Sequence, residues 1–121
     1  PGPGRWDTDI NPVLMRLADA YLMRAEAKLR NGDAAGALAD VNAVRDARGA
    51  AQLGSVDLDA MLDERGFEFY WEMQRRTDLI RFSKFNDAWT SKPVTDANTR
   101  VFPIPLNALA SSSNLQQNQG Y

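Results

Sequence analysis

The chain contains neither cysteine nor histidine. That removes thiol nucleophiles, disulfides, zinc-type Cys/His sites and any histidine general base. Lysine is scarce, with three against eleven arginines. Guanidinium groups suit planar, bidentate, partly buried carboxylate pairs better than ammonium groups do. Positive charge is not in excess, because the formal net charge is −2. With no Lys/Arg run either, neither nucleic acid nor an anionic membrane surface is an expected partner. No apolar run approaches the ~20 residues that cross a bilayer, and no signal-peptide apolar segment is present. What remains is 121 residues, 44% hydrophobic and 25% charged. That composition suits one small globular domain with its own core.

Charge and aromatic side chains concentrate between Asp63 and Phe82, DERGFEFYWEMQRRTDLIRF. Glu64, Glu68 and Glu72 recur every fourth residue, the spacing that stacks side chains along one helical face. Arg65, Arg75, Arg76 and Arg81 are spaced to answer them, and Asp78 stands three residues from both Arg75 and Arg81. Phe67, Phe69, Tyr70, Trp71 and Phe82 lie between these charges. The expectation is a structural ion-pair network partly buried beneath the aromatics, because an unpaired buried charge is too costly.

Residues 1–10, PGPGRWDTDI, read as an irregular lead in which Pro and Gly disfavour regular structure. Asn11-Pro12 has the form of a helix start. Val13, Leu14, Leu17, Ala18, Tyr21, Leu22, Ala25 and Leu29 then make an apolar stripe that Gly32 ends. Asp33 caps a second helix with Ala34, Ala37, Leu38, Val41, Val44 and Ala47 on its buried face, and Gly49 ends it. So short a connection makes the pair antiparallel. Tyr21, Ala25, Gly32, Ala37, Val41 and Val44 fit the size pattern of one tetratricopeptide hairpin. Glu26, within that stripe, reads as a structural carboxylate paired to an arginine of the central stretch.

After a loop at 49–56, Asp57 caps a third helix whose Leu58, Met61, Leu62, Arg65, Phe69 and Met73 share a face. Gly66 inside it costs about 1 kcal/mol against alanine, which implies that something packs close there. A bend or break is expected near Gln74–Thr77, with Thr77 capping a short helix through Phe85. Residues 86–100 are turn-rich and polar around Trp89. Val101–Pro105, VFPIP, holds two prolines and cannot be a central strand. It reads as an extended segment followed by a short helix at about Leu106–Ala110. The Gln/Asn-rich end, Asn114–Tyr121, has the composition of a disordered tail.

Glu64, Arg65, Glu68, Glu72, Arg75, Asp78, Leu79 and Arg81 form ER-x-x-E-x-x-x-E-x-x-R-x-x-D-L-x-R. This resembles the C-terminal part of the SusD/RagB family, outer-membrane nutrient-binding lipoproteins of Bacteroidetes. The run YLMRAEAKLRNGDAAGAL and the order FPIP then NLQQNQGY are similar to that family too. The chain departs at Met73-Gln74, where the family has Gly-His, and at Gln119, where it has Pro. Losing that glycine argues for a more continuous helix. The resemblance covers nearly all of residues 11–121 and implies a single all-α domain: a tetratricopeptide-like hairpin, further helices, long ordered loops and an extended, ordered C-terminal segment. It also implies that signal sequence and lipid-bearing cysteine belong to an upstream portion, and that Tyr121 is the natural C-terminus.

Three functions follow for weighing. The resemblance implies a glycan-binding protein on the extracellular face of the outer membrane. Such a protein passes oligosaccharide to a SusC-like TonB-dependent transporter, without cofactor, metal or catalytic residue. Its membrane contact is a lipid anchor outside this chain. Carbohydrate-contact candidates come from chemistry alone: Trp89 and Trp6, with Asn86 and Asp87. Trp6 also reads as a packing or linker residue, and Trp89 as an anchor for its own loop. A glycosidase would need carboxyls ~5 Å apart flanking a bond. Glu64, Glu68 and Glu72 would instead point the same way, held ionised by arginine. The alternative, a helical-repeat interaction module, rests on the hairpin.

Overall fold

A computed structural model describes residues 14–121. Trp6, Val13 and the Asn11-Pro12 helix start lie outside them. The described residues form helices α1 (Leu17–Arg30), α2 (Ala34–Ala47), α3 (Leu58–Glu68), α4 (Arg75–Arg81) and α5 (Leu106–Ser111), and a 3-10 turn at Ala97–Arg100. Among them there is no strand, only an isolated bridge between Trp89 and Lys92. The all-α expectation therefore holds. The chain divides into two compact units, Pro1–Glu64 and Arg65–Tyr121.

In the first unit the turn chemistry of the sequence makes the hairpin. Gly32 takes φ +86°, which a side chain would resist, and Asp33 N–H donates back to Lys28 O at 2.9 Å. The Asp33 carboxylate then accepts Gly36 N–H at 2.8 Å, capping α2. Leu22, Ala25, Ala37 and Val41 are excluded from water. Alanines on both helices let the axes approach closely. The apolar stripe of α1 is shorter than its spacing suggests. Leu14 is 91% exposed and Leu17 74%. Leu14 precedes the helix, so helical period does not apply to it. Leu17, with Ala18, Tyr21, Ala43 and Val44, lines an open apolar hollow of about 270 Å³ and stays out of the core. Ala34 and Ala47 are exposed as well.

Polar side chains fix the rest of this unit. Asn42 clamps the 49–56 loop: its amide donates to Leu53 O at 3.0 Å and accepts Leu53 N–H at 2.8 Å. Arg45 donates to Ala51 O at 2.6 Å and pairs with Glu64 of α3. Asp57 caps α3 as expected, accepting Ala60 N–H at 2.8 Å. Glu26 is buried and pairs with Arg30 of its own helix at 2.8 Å.

Asp40 is buried on α2 and takes both arms of Arg24, at 2.9 and 2.7 Å, with Lys28 Nζ at 2.9 Å. The Arg24 hydrogen bonds, helped by Lys28, hold its carboxyl below the usual carboxylate range, although burial pushes the other way. The folded state thus binds this proton less tightly than the unfolded chain does. Its stabilisation is complete above the ordinary aspartate value of about 3.9 and is lost as pH falls through the folded value. Asp40→Asn is expected to lower the melting temperature at pH 7 and to narrow its gap to wild type below pH ~3.9. Thermal melts across pH check this, and a gap that widens in acid would contradict it.

In the second unit the chain leaves α3 after Glu68. Trp71 and Met73 adopt φ +66° and +60°, so the more continuous helix expected from the loss of glycine does not form. The backbone keeps a glycine-like conformation although methionine occupies the position. Helical spacing stops at Glu68, and Glu72 and Met73 fall off the face assigned to them. Met61, Leu62, Arg65 and Phe69 remain buried, while Leu58 is 39% and Met73 96% exposed. Left-handed backbone costs a side chain about 1–2 kcal/mol, and glycine gives back about 0.5–1 through unfolded-state entropy. Met73→Gly is therefore expected to raise stability by about 0.5–1 kcal/mol, since so exposed a side chain loses little packing. Urea denaturation checks it, and a loss would contradict the strain argument.

The expected break is real but comes earlier, and α4 starts at Arg75. Thr77 does not cap it: its hydroxyl donates to Gln74 O at 2.7 Å. Gly66 is explained by proximity, as inferred. A Cβ there would stand 2.6 Å from Arg75 Nη1.

The Gln/Asn-rich tail is ordered by its own carboxamides. Ile104 carries the one N–H of the Pro103–Pro105 stretch. Gln117 serves it like a neighbouring strand, accepting Ile104 N–H at 2.8 Å and donating to Ile104 O at 3.0 Å. Asn118 donates to Phe102 O at 2.7 Å, and Tyr121 Oη to Val101 O at 2.9 Å.

Candidate functional site

The central charges fall into separate clusters. Glu64 faces Arg45 in the first unit. In the second, Arg65 and Asp78 are both almost wholly buried, at 2% and 1% exposure. Arg65 Nε donates to Asp78 Oδ2 at 2.9 Å, and Nη2 to Gln74 Oε1 at 3.1 Å. Arg81 Nη2 donates to the other oxygen, Asp78 Oδ1, at 2.8 Å. The Arg65 guanidinium also lies 4.9 Å from the centre of the Phe69 ring. Each Asp78 oxygen therefore meets a guanidinium N–H, away from solvent, and neither is presented to a substrate.

Arg76 sits 4.5 Å from the Phe85 ring centre and 4.6 Å from that of Phe102, and donates to Thr99 O and Arg100 O at 3.2 and 3.1 Å. It ties α4 to the 3-10 turn and to Phe102 just beyond it. Glu68 is half-buried; Glu72 and Arg75 are exposed. The aromatics depart from expectation. Phe69 is buried, but Phe67, Tyr70 and Trp71 are 75%, 76% and 85% exposed. Phe67 lies on the exposed face of α3, while Tyr70 and Trp71 fall in the turn after Glu68 and leave the facing that an unbroken helix would give. Tyr70 and Trp71 pack edge to face at 6.2 Å. The sequence pointed to a break only further on, near Gln74–Thr77, and the methionine in place of the family's glycine argued against a turn here.

The carbohydrate-contact candidates lie on the following loop. Trp89 and Lys92 exchange both backbone hydrogen bonds, at 3.0 and 2.9 Å, closing a two-residue hairpin over Thr90 and Ser91. Lys92 Nζ lies 4.4 Å from the Trp89 ring centre and donates to Asp87 O at 2.9 Å. The indole is thus braced by its own hairpin and left 49% exposed. Asp87 is exposed at the base. Asn86 is the stitch beneath: its amide N–H group reaches Thr95 Oγ1, Asp96 O and Thr99 Oγ1 at 3.1, 2.7 and 3.0 Å. Those donors are spent on the loop, so Asn86 positions the hairpin. Trp6 lies outside the described residues. Among the described residues no helix is long and apolar enough to cross a membrane.

The chain matches the model of the SusD family over residues 2–121. It is 40% identical over 126 residues to "Starch-binding protein SusD" of Bacteroides thetaiotaomicron, covering 95% of this chain and 22% of that protein. It is 33% identical over 121 residues to "SusD-like protein P25" of Formosa agariphila, covering 87% of this chain and 23% of that protein. The chain spans less than a quarter of the length of these relatives.

Proposed function

The chain belongs to the SusD family, and from that premise we propose that it serves in oligosaccharide capture at the outer-membrane surface. In this reading the bound glycan passes to a SusC-like TonB-dependent transporter, a lipid anchor outside this chain holds the protein to the membrane, and no reaction is catalysed. The observation that carries it is the 40% identity, over 95% of the chain, to a protein named for starch binding. The geometry supports it. A half-exposed indole braced on a hairpin suits the C–H face of a pyranose, with the Asp87 carboxylate near the hairpin's base. Glycan sites combine such apolar faces with a few placed polar groups. The Asp78 carboxylate is buried and both its oxygens accept from arginines, so it is not presented to a glycosidic bond.

Titration calorimetry with maltoheptaose and other neutral oligosaccharides tests the reading. Trp89→Ala is expected to weaken binding about tenfold, ~1.4 kcal/mol, and to change stability by less than ~0.5 kcal/mol. A loss of stability above ~2 kcal/mol would make Trp89 a core anchor instead.

A further inference from the structure

The 3-10 turn and the C-terminal tail enclose an open hollow of about 600 Å³, lined by Asp96, Asn98, Asn118, Gln119 and Gly120 among others. Its walls are held. Asn98 Nδ2 donates to Gly120 O at 3.2 Å, and Asn118 Nδ2 to Phe102 O at 2.7 Å. Gly120 has φ +93°, and a Cβ there would stand 2.5 Å from Asn98 Nδ2. Asn86 grips Asp96 O at 2.7 Å, joining this hollow to the base of the Trp89 hairpin.

The hydrogen-bonding capacity left over is unusual. Asn98 Oδ1 is buried and has no hydrogen-bond partner among the described residues. Buried acceptors are nearly always satisfied, so an unsatisfied one calls for an explanation. Asn98 and Asn118 each donate one amide N–H to a backbone carbonyl, and each carboxamide has a second N–H as well as its oxygen. The Asp96 carboxylate and the Gln119 amide have no partner among the described residues either. The hollow thus brings a carboxylate together with three carboxamides that both donate and accept.

A ligand for it must bring several donors without demanding much negative charge. Calcium takes about six to eight oxygens and draws heavily on carboxylates, and only one carboxylate lines the hollow. A polyhydroxyl ligand fits better, because adjacent hydroxyls can donate to a carboxylate and to amide oxygens while accepting from an amide N–H.

We propose that the hollow between Asp96, Asn98, Asn118 and Gln119 is a carbohydrate subsite that binds the hydroxyl edge of a sugar, separate from the indole of Trp89. The inference rests on the glycan-binding reading above. Asp96 and Gln119, both exposed, are its readers, while Asn98 and Asn118 hold the walls.

The test is a ¹H–¹⁵N NMR titration of the full chain with maltoheptaose, cellohexaose, xylohexaose and mannohexaose. It follows the side-chain amides of Asn98, Asn118 and Gln119 and the indole N–H of Trp89. With the sugar that binds, all these signals are expected to move with one midpoint. Asp96→Asn and Gln119→Ala are each expected to weaken that midpoint at least fivefold while the backbone spectrum stays folded. Movement of the Trp89 indole alone, with both variants binding like wild type, would overturn the subsite and leave the glycan-binding reading standing. No movement with any of the sugars would overturn both. Saturation of the same amides by calcium chloride without sugar, abolished by Asp96→Asn, would overturn it in favour of a cation site.

Discussion

Asp78→Ala is expected to destabilise the protein by about 3–5 kcal/mol, because it removes a carboxylate that a buried guanidinium is paired with. Arg65 and Asp78 are 2% and 1% exposed, so water cannot replace the missing partner. Gln74 Oε1 also accepts from Arg65, at 3.1 Å, but a neutral amide does not replace the carboxylate that Asp78 supplies. Small domains have about 5–15 kcal/mol in total, so the loss would be a large part of the whole. Exposed pairs elsewhere on the chain would each contribute only about 0–1 kcal/mol. Replacing both partners, as Arg65→Met with Asp78→Leu, should recover much of the loss, since well-packed apolar substitutes often match a buried pair. Urea denaturation followed by circular dichroism measures both variants. A cost under ~1 kcal/mol for Asp78→Ala would show that the pair is peripheral.

Leu22→Ala is expected to cost about 2–5 kcal/mol, the range for truncating a fully buried leucine. Leu22 is 1% exposed on α1, among the core residues of the hairpin. The same change at Leu17, 74% exposed on the same helix, should stay within ~0.5 kcal/mol. The stripe read from the sequence treats these two leucines alike, and the structure separates them. Equal costs from the same denaturation experiment would place Leu17 in the core and contradict the fold described.

The hairpin was legible because each of its signals is local. Gly32, Asp33 and Gly49 set turns and caps with their immediate neighbours, and Ala25, Ala37 and Val41 follow helical period. Gly66 was legible for the same kind of reason: a glycine within a helix asks for a close neighbour, and Arg75 is there. The central stretch was legible as charge pairing but not as geometry. Its spacings presume one helix, and the chain leaves that helix at Glu68 through left-handed residues that propensity disfavours. Arg65 and Asp78 make the buried pair, with Arg81 on the second Asp78 oxygen, and the aromatics beyond Phe69 turn outward.

The tail shows the opposite limit. Its composition reads as disorder, and only the family resemblance argued for order. The physical cause is a long-range match between the Gln117 carboxamide and the one backbone N–H that the prolines leave at Ile104. Nothing in the local sequence announces it. The site was legible only in part. Trp89 stands exposed as a contact residue would, but Asn86 spends its donors inside the loop. The Asp96–Gln119 hollow depends on residues more than twenty positions apart, which no local reading could bring together.

A double-mutant cycle on Arg65 and Asp78, each replaced by alanine, puts the whole account to its hardest trial. If these groups fasten the helices and do no chemistry, their coupling energy should be about 2–3 kcal/mol, at the upper end for residues in contact. A coupling near zero would mean that the two groups act independently, and the structural clamp would have to be abandoned.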